Sequence, residues 1–119
     1  MGKQVDQGTR FESRMRRLAV GRGRIAARTA KTGKKHEPDL VIAGTEMRPA
    51  VAWEKWVGRK GQGRRRAVRM VAIPEYHYGE LLALDTEHRY GYYVQCKSTQ
   101  AGSLHTWLEG LIERIETDA

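Results

Sequence analysis

The chain has 119 residues, 39% apolar and 30% charged, enough for one hydrophobic core and unlike a wholly disordered or membrane-spanning chain. Its 22 lysines and arginines outnumber its 14 aspartates and glutamates, and the net charge of +8 favours a polyanionic partner. One cysteine excludes an internal disulfide and a cysteine-based zinc site, and the N-terminus lacks a signal-like apolar segment, so we expect a cytoplasmic protein without membrane contact.

The N-terminal third predicts one amphipathic helix followed by a weakly patterned basic stretch. Over residues 9–20, apolar side chains recur at helical spacing and form one stripe. Gly21 and Gly23 are expected to end this helix. Residues 24–36 are basic and predict a loop or a short strand. The stripe consists of Phe11, Met15, Leu18 and Ala19.

The remainder of the chain predicts several strands and a second helix. Short apolar runs at 39–43, 50–57 and 67–73 are typical of buried strands, and the last two would form a hairpin. Residues 81–84 fit either a strand or a helix over 75–87. The aromatic and β-branched run at 90–97 predicts a strand. Ser103 can cap a final amphipathic helix, so we expect a single α+β domain over residues 1–119, with a central mixed sheet flanked by helices.

Three polar residues in the second half suggest metal-dependent phosphodiester hydrolysis. Glu80 opens one apolar run, and fourteen residues separate it from Gln95, which Lys97 follows on the next run. Side chains alternate along a strand, so Gln95 and Lys97 share one face. A hairpin would bring Glu80 beside Gln95, where both could hold Mg²⁺ or Mn²⁺, with the Cys96 carbonyl as a further oxygen. A lysine beside the metal can orient or deprotonate the attacking water.

This arrangement resembles the PD-(D/E)XK nuclease superfamily, and most closely small phage-type nucleases and Holliday junction resolvases. The resemblance is carried by the segments at 8–12 (GTRFE), 79–80 (GE), 94–97 (VQCK) and 107–110 (WLEG). It covers the two ends of the chain better than the middle. Two residues differ from the family pattern: the strand acid is Glu80 rather than aspartate, and Gln95 stands where glutamate is usual.

The resemblance implies a restriction-endonuclease-like fold and a Mg²⁺-dependent DNA endonuclease, acting on branched or Holliday-junction DNA in the setting of a phage or mobile element. It implies metal ligands at Glu80 and Gln95, a catalytic lysine at Lys97 and an assisting helix carboxylate at Glu12. A homodimer is the natural form for a junction substrate. The two departures from the pattern leave an alternative: a non-catalytic basic DNA- or RNA-binding protein that keeps a nuclease-like fold.

The identity of the acidic ligands stays open at this point. Pro38-Asp39 spells the first motif of the superfamily, and Glu54 follows Asp39 after the same fourteen-residue gap. Lys55 directly follows Glu54 and would point to the opposite face, so that second site lacks a matching lysine. A third arrangement brings Asp39 beside Gln95 and Lys97.

A basic, glycine-containing segment at 58–66 is the predicted site of contact with DNA phosphates. Glycines would let its cationic side chains follow an irregular backbone, and such contacts fix orientation rather than sequence preference. The residues expected to bind DNA are Arg59, Lys60, Arg64, Arg65 and Arg66.

Overall fold

The structure is a computed structural model that describes residues 3–30, 33–57, 66–74 and 89–118. Within these ranges the chain is an α+β protein with one five-stranded sheet and two helices. The elements in chain order are α1 (Lys3–Gly21), β1 (Ala26–Arg28), β2 (Leu40–Ile42), β3 (Glu46–Val57), β4 (Arg66–Ala72), β5 (Tyr90–Ser98) and α2 (Leu104–Asp118).

The sheet is mixed, and its order is β1-β2-β5-β3-β4. The pairs β1–β2, β2–β5 and β3–β4 are antiparallel, whereas β3 and β5 run parallel. Strand β5 therefore lies in the middle of the sheet, between β2 and β3. The predicted α+β class with a mixed sheet and flanking helices is confirmed at this level, and the restriction-endonuclease-like topology stays a prediction.

The two helices pack on opposite faces of the sheet. The apolar stripe of α1 forms one core cluster with Leu40, Tyr92 and Val94. The stripe of α2 forms a second cluster with Val51 and Trp53. Because strand side chains alternate, the even-numbered residues of β5 face α1 and the odd-numbered ones face α2. Neither described helix has the length and apolar character needed to cross a bilayer.

Helix α1 ends where the glycines predict. The Arg24 amide donates to the Ala19 carbonyl and the Gly23 amide to the Val20 carbonyl, each at 3.0 Å, which is the Schellman pattern of a helix C-terminus. Gly23 has a φ of 81°, a left-handed conformation that glycine adopts without steric cost. The helix begins at Lys3, six residues before the predicted start, in a polar stretch without an apolar stripe.

Strand β3 is longer than predicted, because it begins at Glu46 and includes Pro49. Proline cannot donate a ladder hydrogen bond and is confined to strand edges and ends. Among the described residues, β4 pairs with β3 only from Val51 onward, so the first residues of β3 have β5 as their single neighbour there. In this part of the described structure, Pro49 therefore lies where one side of β3 has no neighbouring strand that would require a backbone N–H donor.

The backbones of Gly44 and Gly91 approach each other closely at the start of β5. A Cβ atom at Gly44 would lie 2.2 Å from the Gly91 nitrogen, and one at Gly91 would lie 2.5 Å from the Gly44 nitrogen. Neither position has room for a side chain. The chain leaving β2 can therefore pass directly against the start of β5, which holds the two strands in their observed register.

Candidate metal and nucleic-acid site

Asp39 is anchored at the junction of β2 and β5. Its amide donates to the Val94 carbonyl at 2.8 Å, and its carbonyl accepts from the Thr29 amide at 3.1 Å. Its carboxylate Oδ2 accepts a hydrogen bond from the Cys96 amide at 2.7 Å. Asp39 therefore contacts the backbone of β5 on both sides of Gln95. The residue is only 9% exposed, so its carboxylate is held in place at this end of the sheet.

Besides the carboxylate of Asp39, a second oxygen near this end of β5 is the side-chain amide oxygen of Gln95. It is 5% exposed in the central strand, and its amide Oε1 is buried without a hydrogen-bond partner among the described residues. A buried acceptor without a partner costs about 1–3 kcal/mol, so it is uncommon in a folded protein and calls for an explanation. A bound cation that prefers oxygen ligands would satisfy this atom.

Lys97 lies two residues further along β5, on the same face as Gln95. Its Nζ is 5.5 Å from the ring centroid of Trp107 in α2, within the range of a cation–π interaction. Trp107 packs edge-to-face on Trp53 with ring centroids 5.2 Å apart. A Cβ atom at Gly102 would lie 2.0 Å from the Trp107 ring, so the glycine leaves room for that ring. The tryptophan thus gives the Lys97 ammonium a defined position.

A matching pair lies on the neighbouring strand. Lys55 Nζ is 4.7 Å from the ring centroid of Trp53, which is the register partner of Lys97. The indole Nε1 of Trp53 donates to the Thr99 carbonyl at 2.7 Å, which orients this ring. This cluster of two lysines on two tryptophans is not apparent from the sequence alone. Alternation places Trp53 and Lys55 on one face, but it does not reveal that α2 brings Trp107 to them.

The donor set fits magnesium better than zinc. In the part of the chain that the structure describes, no three His, Cys, Asp or Glu side chains are grouped so that they could hold a metal. Asp39 and Gln95 offer one carboxylate and one amide oxygen. Magnesium binds through one or two carboxylates, keeps several waters and uses substrate phosphates as further ligands, whereas zinc prefers nitrogen and sulfur. The two residues therefore fit a magnesium-type ion that is completed by substrate.

The structure places Glu12 and Glu54 on the opposite face of the sheet. Glu12 Oε1 lies 3.5 Å from Arg28 Nε, beside β1. Glu54 is 2% exposed, and its two carboxylate oxygens pair with Arg14 at 2.6 Å and with Arg69 at 3.5 Å. Strand β5 separates Glu54 from Asp39, so these two acids do not form a site. Glu12 is likewise not brought beside Gln95 and Lys97.

The ion pairs of Glu54 predict a stability effect. We expect Arg14→Gln to lower the free energy of unfolding by about 2–3 kcal/mol, because the buried carboxylate of Glu54 would keep, among the described residues, only its longer contact with Arg69. Arg10→Gln removes an equal charge from an exposed position of the same helix and should change it by less than about 0.5 kcal/mol. Urea unfolding followed by circular dichroism measures both. Equal stability of the two variants would contradict a structural role for the Arg14–Glu54 pair.

Several predicted site residues lie outside the described residues. These are Glu80 and the cationic residues Arg59, Lys60, Arg64 and Arg65, and the side chain of Arg66 at the start of β4 belongs with them. Their predicted roles stay predictions. Of the three arrangements of acids that the sequence leaves open, the one with Glu80 stays a prediction, the pair of Asp39 and Glu54 is not formed, and Asp39 lies beside the β5 backbone at Gln95.

Comparison of the chain with protein-family models, with curated proteins and with solved structures found no match.

Proposed function

We propose that this protein is a metal-dependent DNA endonuclease whose site is formed by Asp39, Gln95 and Lys97. The observation that carries the proposal is the Oε1 atom of Gln95, which is buried without a hydrogen-bond partner among the described residues, while Asp39 contacts the backbone of the two residues that flank Gln95. A negatively charged oxygen, a neutral oxygen and an ammonium group at one end of one sheet form a set suited to a cation and a phosphate.

Each residue has a separate role in the proposed reaction. The carboxylate of Asp39 and the amide oxygen of Gln95 would hold Mg²⁺ or Mn²⁺. When bound, such an ion polarises the scissile phosphate and lowers the pKa of the attacking water. Lys97 would orient that water or deprotonate it, and its charge would offset the negative charge that develops on the phosphate. The ammonium of Lys97 lies 5.5 Å from the ring centroid of Trp107, a contact that would limit its movement in either role.

The excess of basic residues supports DNA as the substrate. A net charge of +8 on 119 residues attracts a polyanion and speeds encounter at low salt. Branched or Holliday-junction DNA is the substrate class proposed from the sequence resemblance. A homodimer would present two such sites to the symmetric strands of a junction, and the dimer is part of the proposal.

Metal-dependent cleavage is the direct test. The purified chain should nick supercoiled plasmid or cut a synthetic four-way junction with Mg²⁺ or Mn²⁺, and it should do neither in EDTA. Labelled linear duplex and single-stranded DNA in parallel reactions would define the substrate structure. DNA binding without cleavage under any divalent ion would refute the endonuclease and leave the second candidate.

The second candidate is a non-catalytic DNA- or RNA-binding protein with a related fold. It is favoured by the weak charge of the site: Asp39 supplies one carboxylate, and Gln95 supplies a neutral oxygen where a second carboxylate would bind a cation more strongly. This candidate requires nucleic-acid binding that is insensitive to divalent ions and to the replacement of Lys97. Competition between duplex DNA and RNA of equal length would then identify the preferred nucleic acid.

A further inference from the structure

A cationic groove lies between helix α1 and strand β1, apart from the residues assigned above. It encloses about 500 Å³ and is lined by Ser13, Arg16, Arg17, Ala27 and Arg28. We call these five residues the α1–β1 groove. Three guanidinium groups and one hydroxyl are hydrogen-bond donors, so the lining is suited to an anion.

Two of the three arginines, Arg16 and Arg28, each contact another residue through the Nε atom. Arg16 Nε donates to the Ala26 carbonyl at 3.2 Å. Arg28 Nε lies 3.5 Å from Glu12 Oε1, and the Arg28 side chain is 44% exposed. Both contacts use the Nε atom rather than the terminal Nη groups. Arg17 is exposed and forms no hydrogen bond or ion pair with the described residues.

The groove lies at the same end of the sheet as the proposed site, but on the face that packs against α1, whereas Gln95 and Lys97 face α2. Arg28 is the register partner of Leu40, the residue that follows Asp39. The next residue of the chain, Thr29, donates its amide to the Asp39 carbonyl. Neighbouring strands lie about 4.8 Å apart, so the backbone of Arg28 is roughly one strand spacing from that of Asp39. A bound polymer that crosses the edge strand β1 could occupy the groove and reach Asp39.

We propose that the α1–β1 groove binds successive phosphates of the DNA strand that leads into the Asp39–Gln95–Lys97 site. That this polymer is the substrate of a nuclease rests on the function proposed above. That it carries repeating negative charges is inferred from the arginines of the groove. Guanidinium groups match phosphate geometry bidentately, and three of them along one groove suit a repeating anion. Arg17 and Arg28 are the principal contacts, because neither has its Nη groups engaged by the described residues.

The test compares two double variants that each remove two positive charges. Arg17→Gln with Arg28→Gln alters the groove. The control, Arg22→Gln with Arg89→Gln, alters two exposed residues at the other end of the sheet, where Arg89 precedes Tyr90 and the turn after α1 contacts the Tyr90 carbonyl. Fluorescence anisotropy with a labelled DNA duplex, in EDTA and across a range of NaCl concentrations, gives the affinity and its salt dependence.

The groove variant should bind DNA about tenfold or more weakly than the wild type, since each lost contact is a charge-assisted hydrogen bond. The slope of log affinity against log salt should fall by about 2. The control should stay within about threefold of the wild type. Arg17→Gln alone, which breaks no contact with the described residues, should show part of the loss at unchanged thermal stability. Equal affinity of the groove variant and the control would overturn the proposal.

The outcomes separate this proposal from the enzymatic one. Binding in EDTA does not depend on cleavage, so a groove variant that loses affinity in a protein that never cuts DNA supports the groove and refutes the endonuclease. If the wild type cuts DNA and the groove variant binds and cuts equally well, the groove proposal fails and the endonuclease stands.

Discussion

Lys97→Ala is expected to reduce Mg²⁺-dependent DNA cleavage by about 100- to 10,000-fold, the usual contribution of a positioned acid–base group. Its DNA affinity should stay within about threefold of the wild type, because one ammonium is a small part of the total positive charge. Truncation at Cβ removes the group that orients the water and offsets the charge on the phosphate. Single-turnover cleavage with saturating protein, together with anisotropy binding in EDTA, separates the two effects.

Lys55→Ala is the matched control for this prediction. Lys55 and Lys97 lie on the same face of neighbouring strands, and each places its ammonium on a tryptophan ring. Both substitutions therefore remove one positive charge and one cation–π contact, but only Lys97 shares a strand face with Gln95. We expect Lys55→Ala to cleave at a rate within about threefold of the wild type, given how little a surface substitution usually changes. Similar losses in both variants would indicate a general effect of charge and would remove the catalytic role from Lys97.

The local elements of this fold could be predicted from sequence because their signals are local. The apolar stripe and the two glycines define the end of α1. Ser103 caps α2, with its Oγ accepting from the Thr106 amide at 3.3 Å. Strands β2 to β5 follow apolar runs, whereas β1 lies in the basic stretch at 24–36, which predicts a loop or a short strand. The start of α1 and the first residues of β3 were missed, because the former lacks an apolar stripe and the latter contains Pro49.

The composition of the site could be predicted only in part, because it depends on strand order. Alternation alone places Gln95 and Lys97 on one face of β5. The choice of acid depends on which strand lies beside β5, and the hydrogen bond between Cys96 and Asp39 joins residues 57 positions apart. An expected hairpin favours Glu80, which lies outside the described residues and stays a prediction, whereas spacing along the chain could not reveal that Asp39 lies beside β5. The site with Asp39 and Glu54 is already disfavoured by sequence, because Lys55 would point to the opposite face, and the sheet order separates these two acids by β5.

Asp39→Asn is the second prediction with a large expected effect. An asparagine has nearly the same shape, and its Oδ1 can still accept the hydrogen bond from the Cys96 amide, so the fold should be retained. The substitution removes the one negative charge that the described site offers to a cation. We expect cleavage to fall by at least about 100-fold, the effect seen when the electrostatic support of a reacting group is lost.

A metal-binding measurement tests the role of Asp39 without relying on activity. Mn²⁺ should raise the melting temperature of the wild type, because a ligand that binds only the folded state stabilises it. It should not raise that of Asp39→Asn. Glu46→Gln, an exposed acid at the other end of the sheet paired with Arg89 at 3.8 Å, is the matched control and should keep the full shift. An undiminished Mn²⁺ shift in Asp39→Asn would exclude Asp39 as a ligand.

Asp39→Ala separates the structural role of this residue from its electrostatic role. Alanine leaves the Cys96 amide without its acceptor, and a buried donor left unpaired costs about 1–3 kcal/mol. Asp39→Ala should therefore lose both stability and cleavage, whereas Asp39→Asn should lose cleavage alone. If the two variants are equally destabilised, the carboxylate serves mainly to hold β2 against β5. In that case the buried oxygen of Gln95 would have no charged neighbour acting as a metal ligand, and the binding function would be the better account of the protein.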